Sequence, residues 1–334
     1  MNPRSLVHAT LEFENKTNRA PKHLWYLPWA ETRYPAEIAA LRRDYPDDIV
    51  GCPSKHAPSP VAKGDIYAAG ESTDDWGCVF TGIQPGIIGE VRHPIVDDEE
   101  WEDVSRVHIP VEQLAFDKDE ANAFCRGTDK FVHSGCCPRI FEQLQFIRGT
   151  EQLYIDLLTQ PPGFLAFMDK MKVFYLELAE RWAQTEVDAL FFMDDWGSQK
   201  SLLISPALWS ELFLPFYKEL IDIAHRHGKK AFMHSDGHIL SVLPLLADAG
   251  LDAVNSQIFC MGIDEVAAYA GKITFWGELD RQNLLAHATP GEVKAAVREV
   301  RAKLWKNGGC IAQCEFGIGG RPENVRAMFE AWAE

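Results

Sequence analysis

The stretch "KKAFMHSDG", Lys229 to Gly237, sets a short apolar run directly against a histidine and an acid. Ala231, Phe232 and Met233 have the length and composition of a buried strand. His234 and Asp236 stand two apart at its end, so on extended backbone they share a side. Gly237 supplies the turn that follows. Such an ending is either an ordinary polar strand terminus or half of a metal site, and the surroundings must decide.

The same unit recurs on both sides. "VDALFFM", Val187 to Met193, reads as the preceding strand. Between the two, Leu208, Leu212, Phe216, Leu220 and Ile223 have helical spacing, and Pro215 predicts a kink or a division into two helices. Downstream, "LDAVNS", "KITFWG" and "CIAQC" read as strands, with helices through "ILSVLPLLADAG", "GIDEVAAYAG", Thr289 to Asn307 and "RPENVRAMFEAW". Thr289 as N-cap, Pro290 in the first turn and Glu292 three residues on from the cap predict a capping box. Upstream, "HLWYLPW", "DDIVG" and "KFVHSG" bring the count to eight. Repeated βα units imply a parallel sheet with helices outside. Eight of them in 334 residues predict a (β/α)8 TIM barrel, a single domain over residues 1–334 with an N-terminal elaboration. A doubly wound open sheet is the alternative, weakened because no GxGxxG follows any of the strands. Pro53 to Pro110, rich in Gly, Pro and acids, reads as an insertion, either hairpins covering the barrel mouth or a surface embellishment.

A net charge of −16 disfavours nonspecific contact with nucleic acid or anionic membrane. The N-terminus shows no apolar signal region, and no stretch reaches the roughly 18 apolar residues of a span, so a cytoplasmic location is expected. The eight cysteines include no paired CxxC motifs, which argues against a structural zinc ribbon.

In a barrel the C-terminal strand ends form the active face. Here five successive ends carry dense polar groups: Asp194, Asp195, Trp196 and Gln199; His234 and Asp236; Asn255 and Gln257; Glu278 and Arg281; Cys314 and Glu315. His234, Asp236 and Cys314, with Glu278 as a possible fourth ligand, make a chemically sensible zinc set, since zinc takes imidazole, carboxylate and thiolate. His133, at the end of "KFVHSG", is a further candidate to face the same cavity.

These residues carry a resemblance. "SPALWSELFLPFYKELIDIAHRHGKKAFMHSDG", with "DDWGC", "FEQLQFIRGTEQLYIDLL", "ATPGEVKAAV" and "RPENVRAM", resembles the uroporphyrinogen decarboxylase superfamily over nearly the whole chain. The resemblance implies a (β/α)8 barrel and one of two chemistries. The decarboxylases carry an RQAGR pattern after the first strand. Here that place reads "PWAETRY", with only Arg33 comparable, which counts against porphyrinogen decarboxylation. The other branch is that of corrinoid-linked methyltransferases, which bind zinc through an HxC pair and a distant Cys. That pattern maps onto His234, Asp236 (where the pattern has Cys) and Cys314. The resemblance therefore implies a zinc-dependent methyltransferase moving a methyl group between a small substrate and the cobamide of a partner corrinoid protein. Glu278 and Asp194 would be catalytic, and Gln199, Gln257, His133 and Trp196 would line the substrate site. The alternative is a metal-free lyase acting on a carboxylated substrate.

Overall fold

The computed structural model describes residues 1–334. The strands are β1 (Lys22–Tyr26), β2 (Ile49–Gly51), β3 (Gly70–Thr73), β4 (Val79–Gly82), β5 (Glu90–Val91), β6 (Phe131–His133), β7 (Ala189–Met193), β8 (Lys230–Ser235), β9 (Ala253–Ser256), β10 (Thr274–Trp276) and β11 (Cys310–Phe316). Eight of them form one sheet in the order β1-β11-β10-β9-β8-β7-β6-β2, with parallel pairings throughout. All eight expected strands form, and the chain is a (β/α)8 barrel.

The seam between β1 and β2 is closed largely by side chains. The Lys22 carbonyl accepts the Asp48 N–H at 2.8 Å. Asp47 accepts the Leu24 N–H at 2.7 Å, and Asp48 accepts the Lys22 N–H at 2.8 Å. Arg19 grips both oxygens of Asp48, at 2.8 and 2.9 Å. Two carboxylates thus satisfy backbone donors where the strands diverge.

Strands enclosed by helices are apolar on both faces, and two cores result. The smaller lies inside the barrel and contains Ile49, Phe131, Ala189, Phe232, Ala253, Trp276 and Ile311. The larger fills the space between strands and helices, and takes the alternate residues Leu190, Phe192, Ala231, Met233, Val254 and Phe275. This alternation fixes which residues at each strand end can reach the barrel mouth.

The helical stretch before β8 is two helices, Pro206–Leu212 and Leu214–Arg226, divided at Phe213 beside the disruptive Pro215. The capping box at Thr289 forms with Glu292 in both directions and opens the helix Pro290–Leu304.

The insertion forms a separate antiparallel sheet, β3-β4-β5. It reaches the C-terminal side of the barrel, where the Gly86 carbonyl accepts the N–H of Trp29, just after β1. A buried ion pair anchors its far end: Arg148 meets Asp156 at 2.6 Å with both side chains at most 2 % exposed. Arg148 also donates to the Val96 carbonyl at 3.1 Å, and the Trp101 indole donates to Asp156 at 2.8 Å.

Candidate metal centre and active site

At the ends of β7 and β8, Asp195, His234 and Asp236 bring one ligand atom each to within 4.8 Å of one another. His234 Nε2 lies 3.5 Å from Asp195 Oδ1 and 3.6 Å from Asp236 Oδ1. On its other side, His234 Nδ1 donates to Asn255 Oδ1 at 2.5 Å, while the Asn255 amide donates to the Trp276 carbonyl. That second bond orients the amide with its oxygen toward the ring. Nδ1 therefore carries a proton, and Nε2 is the nitrogen aimed between two carboxylates.

Glycines let the two loops meet. A Cβ on Gly197 would lie 2.2 Å from the His238 nitrogen, and one on Gly237 (φ +76°) would lie 2.0 Å from the Gly197 carbonyl oxygen. The loops carrying Asp195 and Asp236 therefore pack backbone against backbone, a spacing that no larger residue permits. The Asp236 N–H also donates to Asp195 at 3.0 Å.

Around the trio the charges interlock. Arg281, after β10, contacts Asp236 directly, meets Glu315 at 2.8 Å and meets Glu278 at 3.4 Å. Burial pushes the Glu278 carboxyl up to about 8, with Arg281 opposing and the charges of Asp236 and Glu315 adding to the rise. Burial alone would depress the His234 imidazolium, but the hydrogen bond and charge of Asp195, with the charge of Asp236, outweigh it and raise the group to about 10. Asp236 Oδ1 and Glu278 Oε2 are buried and have no hydrogen-bond partner. An orphaned carboxylate oxygen beside an imidazole nitrogen fits a divalent cation, which would replace the proton on His234 and take both Asp oxygens. One nitrogen and two carboxylate oxygens are a zinc-compatible donor set, harder than one containing thiolate.

Beneath the trio, Trp25 packs on His234 with centroids 5.4 Å apart and on Trp276 at 5.1 Å. Beside it opens a cleft of ≈ 190 Å³ lined by Gln199, Gln257, Glu278 and Arg281. Gln257 accepts the Gly237 N–H at 3.1 Å, steadying the Asp236 loop.

Three expected site residues face elsewhere. Cys314 is fully buried in the core between strands and helices, in register with Leu24, while Ile311 on the same strand packs inside the barrel and Glu315 meets Arg281 over the mouth. Alternation thus turns the thiol away from His234, and burial holds it protonated by pushing its pKa well up. Asp194 also points outward. Its oxygens accept the Glu142 N–H at 2.8 Å and the Tyr217 hydroxyl at 2.6 Å, which makes it a fastener for the helix Ile140–Arg148. Trp196 is fully buried, stacks on Phe141 at 4.0 Å and donates to Tyr217, away from the cleft. His133 does face the barrel interior, but its ring neighbours are Phe191, His23 and Trp276.

Asp195, Asn255 and Arg281 were quoted among the strand ends but not chosen as site residues. Parity along β7 could have found Asp195, because Ala189 packs inside the barrel and every second residue after it shares that side.

Parallel strands, outer helices and a cation-ready acid–histidine cluster at the C-terminal ends define a barrel of the enzyme type. The chain belongs to the uroporphyrinogen decarboxylase (URO-D) family, whose sequence profile matches residues 143–334. Among solved structures it is similar to a methyltransferase from Methanosarcina mazei, with a TM-score of 0.67 and 13 % identity over 100 % of this chain and 98 % of that one. At that identity the likeness establishes the fold. A glycosylated endo-beta-1,4-xylanase from Gloeophyllum trabeum aligns with a TM-score of 0.45 and 10 % identity over 97 % of this chain and 99 % of that one. That likeness supports no argument about this chain. No curated protein sequence matches it.

Proposed function

We propose that this chain is a zinc-dependent methyltransferase that moves a methyl group between a small substrate and the cobamide of a separate corrinoid protein. The observation that carries the reading is the convergence of Asp195, His234 and Asp236 on one point at the barrel mouth. Membership of the URO-D family and the fold shared with a methyltransferase support it.

Asp195, His234 and Asp236 would hold the zinc, whose chemistry when bound is that of a Lewis acid toward a substrate heteroatom. Asn255 fixes the ring of His234 through Nδ1, so that Nε2 is the nitrogen that would exchange its proton for the metal. Glu278, neutral near pH 7, holds a proton on its carboxyl within the cleft. That proton is available to a leaving oxygen or nitrogen. Arg281 orients Glu278 and Asp236 together. Trp25 and Trp276 close the floor against water, and Gln199 and Gln257 offer hydrogen bonds to a substrate in the cleft.

A second reading, a metal-free lyase for a carboxylated substrate, is favoured by Arg281, which already neutralises Asp236. With His234 protonated, the cluster could balance its charge unaided.

Metal analysis of the purified chain separates the two. The first reading expects about one zinc per chain, lost in Asp195→Asn, and zinc-dependent demethylation of methylcobalamin followed by its absorption spectrum. A metal-free chain that releases carbon dioxide from a carboxylated substrate would establish the second reading instead.

A further inference from the structure

A second cavity, ≈ 270 Å³, lies between the insertion and the ends of β2 and β6. It is distinct from the cleft that holds Glu278 and Arg281. The insertion supplies Ile66, Trp76, Phe80 and Ile88, and the barrel side supplies Phe146 and Tyr175. The aromatic walls are braced against one another: Trp76 and Tyr175 have centroids 5.7 Å apart, and Phe80 and Phe146 5.0 Å. The volume is just below the roughly 300 Å³ at which ligand pockets for small molecules begin.

The polar groups of this cavity are unevenly spent. Asp74 accepts from the N–H groups of Trp76 and Cys78, at 3.0 and 2.7 Å, and from the Gln143 amide at 3.0 Å. Asp75 accepts from Gln113 at 2.9 Å. These acids fasten the insertion. Arg139 is different. Its guanidinium, with five N–H donors, makes one hydrogen bond, to Glu142 at 3.1 Å, and a third of the side chain stays exposed. The neighbouring Cys137 thiol is pushed up to about 12 by burial, so Arg139 is not there to activate a thiolate nucleophile. A fork of free donors set in an aromatic chamber suits an oxyanion attached to a flat apolar body.

The chamber adjoins the metal centre. Pro138 accepts the N–H of Met193, two residues before Asp195, and Glu142 gives its backbone N–H to Asp194.

We propose that this cavity binds a small ring-bearing organic acid, with Arg139 holding the carboxylate and Trp76, Phe80, Phe146 and Tyr175 enclosing the ring. Identifying that acid as the methyl-bearing substrate rests on the methyltransferase reading; the binding site itself does not.

Calorimetric titration of the full chain tests the two separately. Benzoate is expected to bind, benzamide at least about 10-fold more weakly, and Arg139→Gln to weaken benzoate about 10- to 100-fold, as expected for loss of charge-assisted hydrogen bonds. Ile88→Trp, which fills the chamber from an exposed edge, is expected to lower benzoate affinity with Arg139 intact. Binding that survives removal of metal supports the site whatever becomes of the methyl-transfer reading. Equal affinity for benzamide, an unaffected Arg139→Gln protein that melts like the parent, or binding of tetramethylammonium in place of benzoate would overturn the proposal.

Discussion

Asn255→Leu tests whether His234 is tuned as a ligand. The substitution removes the acceptor of the Nδ1–H and the donor to the Trp276 carbonyl, both in a fully buried setting. Two groups lose a partner at about 1–3 kcal/mol each, so a stability loss of about 2–4 kcal/mol is expected after partial relaxation. With an unfolding entropy of about 2.1 cal/mol/K per residue, that lowers Tm by about 3–6 °C. The second effect is on the metal. With Nδ1 free, the ring can rotate or take the other tautomer, and loss of such an orienting partner costs about 10–100-fold in metal affinity, or about 1.4–2.7 kcal/mol. The assay is competition for zinc against a chromophoric chelator, paired with thermal melts with and without zinc. Zinc should raise Tm less in the variant than in the parent at equal free metal. A zinc affinity within twofold of the parent, in a protein that still folds, would refute the role of Asn255 and weaken the assignment of Nε2 as ligand.

Cys314→Ala should leave zinc content unchanged and cost about 1–2 kcal/mol through a small packing defect, read from urea denaturation; loss of metal would return the thiol to the ligand set. Arg148→Met should destabilise the chain by about 3–5 kcal/mol because Asp156 is left charged and unpaired, whereas Arg148→Met with Asp156→Leu should recover most of it; equal losses in both proteins would show that the ion pair is not what anchors the insertion. Burial pushes His133 down to about 4 from an ordinary 6.5. The unfolded chain therefore takes up a proton that the folded chain refuses in that window. The contribution of the neutral ring is complete above 6.5 and falls by up to about 3 kcal/mol as pH drops toward 4. Urea midpoints across the window should slope less in His133→Phe, and an unchanged slope would assign the acid sensitivity to other groups.

The barrel was legible because each strand is bounded by turn residues and separated from the next by a helical pattern, and every one of the eight formed. The facing of individual side chains was less so. "ALFFM" is apolar on both sides and "CIAQC" is interrupted only by Gln313, so composition alone does not say which face meets the barrel axis. Cys314 was chosen on residue type and on the resemblance to an HxC…Cys pattern, yet its neighbours Gln313 and Glu315 hold the inward positions. The same ambiguity led to Asp194 as a catalytic candidate, where Asp195 is the acid that reaches the cluster with His234 and Asp236. His234, Asp236 and Glu278 were legible because they stand at predicted strand ends with turns behind them. Arg139 and its chamber were not, since their walls come from segments far apart in the chain that only the folded insertion brings together.

Asp194 ties the start of the helix Ile140–Arg148 to the strand end from which Asp195 emerges. Arg139, on the threshold of that helix, is a wall of the chamber beneath the insertion. A single buried carboxylate thus joins an element of one compartment to an element of the other. To whatever extent an occupant of one shifts affinity in the other, thermodynamic reciprocity requires the same factor in return.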